Sequence, residues 1–307
     1  MSTSLDCDVL VFGDYFLDLV ITGLPDIPRL GADVFGTALE MSPGGAYILT
    51  TALHRLGVRV CWAARLGNDL FSRFVLEEAQ KEGLDTSLFE FLPAPYRSLS
   101  ISFSFASDRG FISYIDPAPP GMPPEESIRR ARPRWVVNLP FDGAEESRRL
   151  IRLVHDLGGR VYTDCQYTTQ TLNNPGLVET LSMIDVFAPN LSEARQLTGA
   201  ADAETAAEIL ARYVPLVVIK CGGEGALARA GGEVWNSPAL PVQVADTTGA
   251  GDCFNAGFLY GLLRGDSIET CLRYGNICGG LSVTQVGGVR GAPTLEQLQS
   301  YLQEDMA

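Results

Sequence analysis

Residues 134–165, RWVVNLPFDGAEESRRLIRLVHDLGGRVYTDC, read as strand, helix, strand. RWVVNL (134–139) and RVYTDC (160–165) are apolar runs of strand length. Between them, AEESRRLIRLVHDL (144–157) sets Leu150, Ile151, Val154 and Leu157 on one helical face, and Gly158-Gly159 ends the helix. The alternation continues on both sides. CDVLVF (7–12), VRVCWAA (58–64), IDVFAP (184–189) and PLVVIK (215–220) are further strand runs, and residues 70–82 form a second helix pattern closed by Gly83. Strands that are apolar throughout are covered on both faces, and strand–helix–strand order with short connections makes neighbouring strands parallel. The expected fold class is α/β, a central and mainly parallel sheet flanked by helices, in a single domain spanning 1–307.

Two segments break the pattern. Residues 17–40 carry LDLVI and DVFGTALEM, and residues 96–115 carry SLSISFSF and GFISYI, joined by the turn formers Ser107-Asp108-Arg109-Gly110. They read as antiparallel ribbons forming a small β-sheet lid over whatever the body binds. The second runs into the proline-dense connector DPAPPGMPPEE, 116–126.

Composition narrows the function. Lys plus Arg number 23 against 37 Asp plus Glu, a net charge of −14 that repels phosphate backbones and anionic lipid. Nucleic-acid and membrane-surface binding are therefore not expected. The first residues show no basic stretch or small-residue cleavage site, and no apolar run is long enough to cross a bilayer, so a cytoplasmic protein is expected. The 7 cysteines include no C-x-x-C pair, which argues against a zinc site, and most are expected to be small buried residues.

The strongest chemical signal is DTTGAGDCFNAGFLYGLL, residues 246–263, where a glycine-rich turn opens into a helix. Backbone N–H groups around Gly249, Ala250 and Gly251 can approach an anion closely, and the helix N-terminus adds partial positive charge. Asp252 falls in the first turn, where an acidic residue also favours a helix for purely structural reasons. The chain has no G-x-x-x-x-G-K-[ST], and 249–254 lack the third glycine of a dinucleotide fingerprint.

DTTGAGD with FNAGFLYGL resembles the C-terminal signature of the ribokinase (PfkB) carbohydrate kinase family. Further motifs follow the family's order: GDYFLD (13–18), PGGAYILTTALHRLG (43–57), RLGNDLFSRF (65–74), PNLSEA (189–194), IKCGGEGAL (219–227) and YGNICGGLSVTQVGG (274–288), the last resembling a helix along the adenine. The resemblance implies a ribokinase-like fold and an ATP-dependent kinase acting on a hydroxyl of a small sugar or related polyol. Asp252 would be the catalytic base, and the amides of Gly249, Ala250 and Gly251 would hold the phosphoryl oxygens. Lys220, Gly222, Gly225 and Asn276 match nucleotide-binding positions. Asn190 and Glu193 match an N-x-x-E motif that would face Mg²⁺, directly or through water, although the same residues would also make a good helix cap. Asp246 and the Thr248 carbonyl would contribute to a monovalent-cation site, with K⁺ the candidate. Asp18, the Gly44-Gly45 pair and, more weakly, Asp14 match acceptor contacts. Relatives often pair through their lids, which implies a homodimer.

Two positions depart from the family. Counted back from the helix end, Ile48 stands where a sugar-binding asparagine is common, and Pro140 where a polar or acidic residue is expected. Each change removes a hydrogen-bonding group that a buried sugar hydroxyl would otherwise meet. Asn138, Gln166, Tyr167 and Arg97 are candidate substitutes, and Tyr15, Phe16, Tyr47, Phe103 and Phe105 are candidates for an apolar wall or for core. A nucleoside kinase with a base stacked on such aromatics, and a non-catalytic homologue that only binds sugar or nucleotide, are the alternatives. His54 and His155 lie on helix patterns away from every motif and receive no catalytic role.

Overall fold

The computed structural model describes residues 7–27, 30–104, 109–117, 124–165 and 169–304. The expected positions Phe105, Ser107, Asp108, Gln166 and Tyr167 lie outside them.

In chain order the elements begin β1 (Val9–Phe12), β2 (Tyr15–Thr22), β3 (Ala38–Gly45), α1 (Ala46–Arg55), β4 (Val60–Ala63), β5 (Arg65–Leu66) and α2 (Leu70–Glu82). They continue with β6 (Glu90–Phe91), β7 (Ser98–Ser104), β8 (Arg109–Ile115), α3 (Pro124–Ala131), β9 (Trp135–Val137), α4 (Glu145–Asp156) and β10 (Arg160–Thr163). Next come α5 (Pro175–Leu181), β11 (Val186–Phe187), α6 (Leu191–Thr198), α7 (Ala203–Leu210) and β12 (Leu216–Lys220). The chain ends with β13 (Ala226–Ala230), β14 (Glu233–Ser237), α8 (Ala250–Arg264), α9 (Ile268–Ser282) and α10 (Leu295–Glu304).

The body is an eight-stranded sheet in the order β14-β13-β12-β11-β10-β9-β1-β4. Strands β12, β11, β10, β9, β1 and β4 are mutually parallel, while β13 and β14 run antiparallel at one edge. Alternate residues supply two cores. Val9, Val11, Trp62 and Val137 pack with α1, α2, α8, α9 and α10. Leu10, Val136, Val161 and Val217 pack with α3 to α7 on the other face. The parallel direction gathers the carboxyl ends of β1, β9, β10, β11 and β12 along one edge, where open α/β sheets bind their ligands.

The lid is a separate sheet in the order β3-β2-β7-β8, with β2 and β7 parallel and the outer pairs antiparallel. Its boundaries shift from those expected. DVFGTALEM becomes strand only from Ala38, and β3 then carries the Gly44-Gly45 pair inside the strand. The expected strand 184–189 contracts to Val186–Phe187, and the helix expected over 274–288 ends at Ser282, after which 283–288 turn back. The β13–β14 hairpin was not anticipated, because ALARAGGEVWNS has mostly small or exposed residues and little apolar periodicity. Among the described residues no helix is long and apolar enough to cross a membrane.

Candidate active site

The anion loop is built as its sequence requires. Gly249 is left-handed at φ 73°, and a Cβ there would lie 2.5 Å from the Gly288 carbonyl oxygen and 2.9 Å from Ile48 Cγ2. No side chain caps α8, so its first amides face the cleft rather than a capping oxygen. Ala250 is the exception among the three amides expected to hold phosphate: its N–H donates to the Thr247 carbonyl at 3.3 Å, leaving Gly249 and Gly251 as the better-placed donors. Lys220 reaches the same loop, its Nζ lying 3.4 Å from where a Cβ on Gly251 would be.

Asp252 occupies the first turn of α8. Burial, and after it the Asp164 carboxylate, push its carboxyl up to about 7, with Lys220 pulling the other way and Asp18 adding to the rise. Asp18 stands across the cleft on β2. Burial and then the Asp246 carboxylate push it, too, up to about 7. Its carboxylate lies over Gly44, where a Cβ would sit 2.0 Å from Oδ2, so only glycine fits there. Gly45, at φ 64°, is closed to a side chain by the Asp14 carbonyl at 2.8 Å. Two carboxyls, one from the body and one from the lid, therefore face one cleft.

Asp14, the weaker acceptor candidate, is held elsewhere. Its carboxylate pairs with the Arg65 guanidinium, accepts from the Arg65 backbone N–H at 3.1 Å and accepts from the Tyr96 hydroxyl at 2.6 Å. Arg97 forms an ion pair with Asp116 at 2.9 Å. Tyr15 and Tyr47 are core: the Tyr15 hydroxyl donates to the Tyr96 carbonyl at 2.7 Å, and the Tyr47 ring meets Trp62 edge-on. Phe103 packs where a side chain on Gly110 would clash, and of the aromatic candidates among the described residues only Phe16, half-buried and two residues from Asp18, stays on the strand face that Asp18 occupies. His155 pairs with Asp185 at 3.0 Å, away from the cleft.

At the nucleotide side, Asn190 and Glu193 form the reciprocal cap of α6: the Glu193 N–H donates to Asn190 Oδ1 at 2.9 Å, and the Asn190 N–H donates to Glu193 Oε2 at 2.8 Å. Burial foremost, and the Asp164 carboxylate, raise Glu193 above the ordinary carboxylate range. Glu193 and Asp164 thus place hard oxygen donors at neighbouring strand ends, a donor set suited to Mg²⁺ held partly through water. Gly222 (φ 59°) and Gly225 (φ 95°) bracket a single 3₁₀ turn after β12, and a Cβ on Gly225 would meet the Ser237 carbonyl at 2.1 Å. Asn276 donates to that same carbonyl at 2.9 Å, so it braces the wall of the expected adenine side. Asp246 accepts from the Thr248 N–H at 2.9 Å, the Thr248 hydroxyl at 2.8 Å and the Gly287 N–H at 3.0 Å, fastening two loops together where a monovalent cation was expected.

Residues 150–295 match the family model described as pfkB family carbohydrate kinase. Over 306 residues the chain is 28% identical to the ribokinase of Bacillus subtilis (strain 168), which covers 96% of this chain and 99% of that protein. The chain thus resembles the ribokinase/PfkB carbohydrate kinases. A second relative, the cytidine kinase of Thermococcus kodakarensis, is 29% identical over 272 residues, 84% of this chain and 93% of that one. The structure of Arabidopsis thaliana ribokinase complexed with ribose and ATP shares the fold, with a TM-score of 0.78 at 22% identity, covering 97% of this chain and 99% of that chain.

The two departures from the family pattern are placed differently. Ile48 is buried against the anion loop, its Cδ1 2.6 Å from where a Cβ on Gly288 would lie, so an aliphatic group fills that position. Pro140 is exposed in the loop after β9. Asn138, just before it, is left-handed at φ 63°, one of two described residues other than glycine with positive φ.

The sequence reading assigned no role to Asp164 or Asn255, and both are central. Lys220 Nζ donates to Asp164 Oδ2 at 2.7 Å, and Asn255 Nδ2 donates to the same oxygen at 2.5 Å. The Tyr162 hydroxyl completes the chain by donating to Asn255 Oδ1 at 2.7 Å. A carboxylate just past the carboxyl end of a parallel strand, as in RVYTDC, was the available signal.

Proposed function

We propose that this protein transfers the γ-phosphate of ATP to a hydroxyl of a small sugar or sugar derivative, with Asp252 as general base. The observation that carries the reading is Asp252 at the uncapped start of α8, facing Asp18 across the cleft and held near neutrality. Asp18 accepts a hydrogen bond from the acceptor and orients it, with Gly44 and Gly45 keeping the strand low beneath it. Asp252 takes the proton of the attacking hydroxyl as the O–P bond forms and ADP leaves. The Gly249 and Gly251 amides, with Lys220, oppose the charge that builds on the phosphoryl oxygens. Asp164 orients Lys220 rather than reacting. Mg²⁺, when bound, would screen the triphosphate charge beside Asn190, Glu193 and Asp164, and K⁺ would sit at Asp246 and the Thr248 carbonyl. The seven free cysteines suit a reducing, cytoplasmic setting.

A nucleoside acceptor is the second reading, favoured by Phe16 beside Asp18 and by the likeness to a cytidine kinase. One experiment tests both: ADP release with ATP, Mg²⁺ and K⁺ across pentoses, hexoses, keto-sugar acids and nucleosides, for wild type and Asp252→Asn. Acceptor-dependent release that drops about a thousandfold in the variant, with ATP binding retained, is expected. Near-normal turnover by Asp252→Asn would remove it as the base.

A further inference from the structure

Ser42 lies directly across from Asp18 in the β2–β3 pairing, so both side chains share the lid face that meets the body. Ser42 is 5% exposed, yet its hydroxyl has no hydrogen-bond partner among the described residues. Thr51, the other buried hydroxyl in that state, is in the middle of α1. The Ser42 Oγ lies 3.5 Å from the Cβ position of Gly287, whose N–H donates to Asp246, the carboxylate that, after burial, raises Asp18. The same register runs on from Asp18 to Ser100 and from Ser100 to Ser113, so a polar row crosses all four lid strands. A buried hydroxyl left unpaired costs free energy, and such groups persist where a ligand completes them.

We propose that Ser42 is an acceptor-binding residue, its hydroxyl and the Asp18 carboxylate engaging neighbouring hydroxyls of one acceptor. The acceptor class is then a compound with a vicinal diol, one hydroxyl for each of the two side chains. This deepens the kinase reading and rests on it.

The test compares wild type, Ser42→Ala and Ser42→Thr, using the best acceptor of the panel above and its monodeoxy analogues. Ser42→Ala is expected to raise KM for the full diol about tenfold with kcat little changed, and to have no effect on the one analogue that lacks the hydroxyl Ser42 meets. Ser42→Thr should restore most of the loss. Thermal unfolding without acceptor should be unchanged or slightly higher in Ser42→Ala, because no bond is lost. An active wild type with Ser42→Ala equal to it on every acceptor overturns the role of Ser42 alone. A uniform loss on all acceptors with a lowered unfolding temperature makes Ser42 structural and overturns it too. A wild type that phosphorylates nothing in the panel overturns the kinase reading and this inference together.

Discussion

The two sheets of this molecule are made of similar short apolar strands and end in opposite environments. In the body, both faces of each parallel strand are buried: Leu10, Val136 and Val161 on one side, Val9, Val11 and Val137 on the other, all 0% exposed. In the lid the faces separate. SLSISFS alternates, with Ser98, Ser100 and Ser102 on the face shared with Asp18 and Leu99, Ile101 and Phe103 opposite. That opposite face also carries Leu39, Met41, Ile112 and Tyr114, exposed at 64%, 45%, 62% and 50%. A sheet with helices on both sides completes its own core, whereas a one-layer sheet with an apolar outer face needs a second layer. The homodimer expected from the sequence, if formed lid to lid, would supply that layer.

The contrast breaks most sharply at matched truncations. Leu10→Ala should cost about 2–5 kcal/mol in urea unfolding, because nothing relaxes into a cavity at the centre of the body. Ile112→Ala, measured in dilute protein, should change stability by under about 0.5 kcal/mol. Equal losses at the two sites would erase the distinction between the sheets. Next in size, Met41→Glu with Ile112→Glu should convert a dimer to a monomer in analytical ultracentrifugation while leaving circular dichroism intact. A wild type that sediments as a monomer would leave the outer face without its proposed partner.

The last comparison is between the cleft's two carboxyls, one from each sheet. Asp18 and Asp252 are both raised from 3.8 to about 7, so the folded state holds their protons more tightly than the unfolded state does. Their favourable contribution is complete below the unfolded value and is lost as pH rises through about 7. Asp252→Asn should therefore match wild type in melting temperature near pH 4 and exceed it progressively up to about pH 8. The kcat/KM of wild type should rise over the upper part of that range as Asp252 ionises. A flat stability difference would mean that Asp252 is not perturbed.

Legibility followed the same division. The body strands could be read because double burial makes them apolar without interruption, and the anion loop because its glycines and helix start are contiguous. The lid could be read from serine–apolar alternation. Asp164 offered only its place past a strand end, since its partners Lys220 and Asn255 lie 56 and 91 positions away and only the fold brings them together. The partners of Asp14 were hidden for the same reason: Arg65 and Tyr96 are 51 and 82 positions away. Ser42 carries no local signal, because an orphaned hydroxyl is defined by what surrounds it.

The parallel pairing of β2 with β7 sets an order of assembly. The two halves of the lid are separated in the chain by α1, β4 and α2, which pack on the body core. Their contact closes a long loop, and closing it is entropically cheap only after those intervening elements have docked. The lid sheet is thus among the last surfaces to form during folding, completed only once the body beneath it has docked.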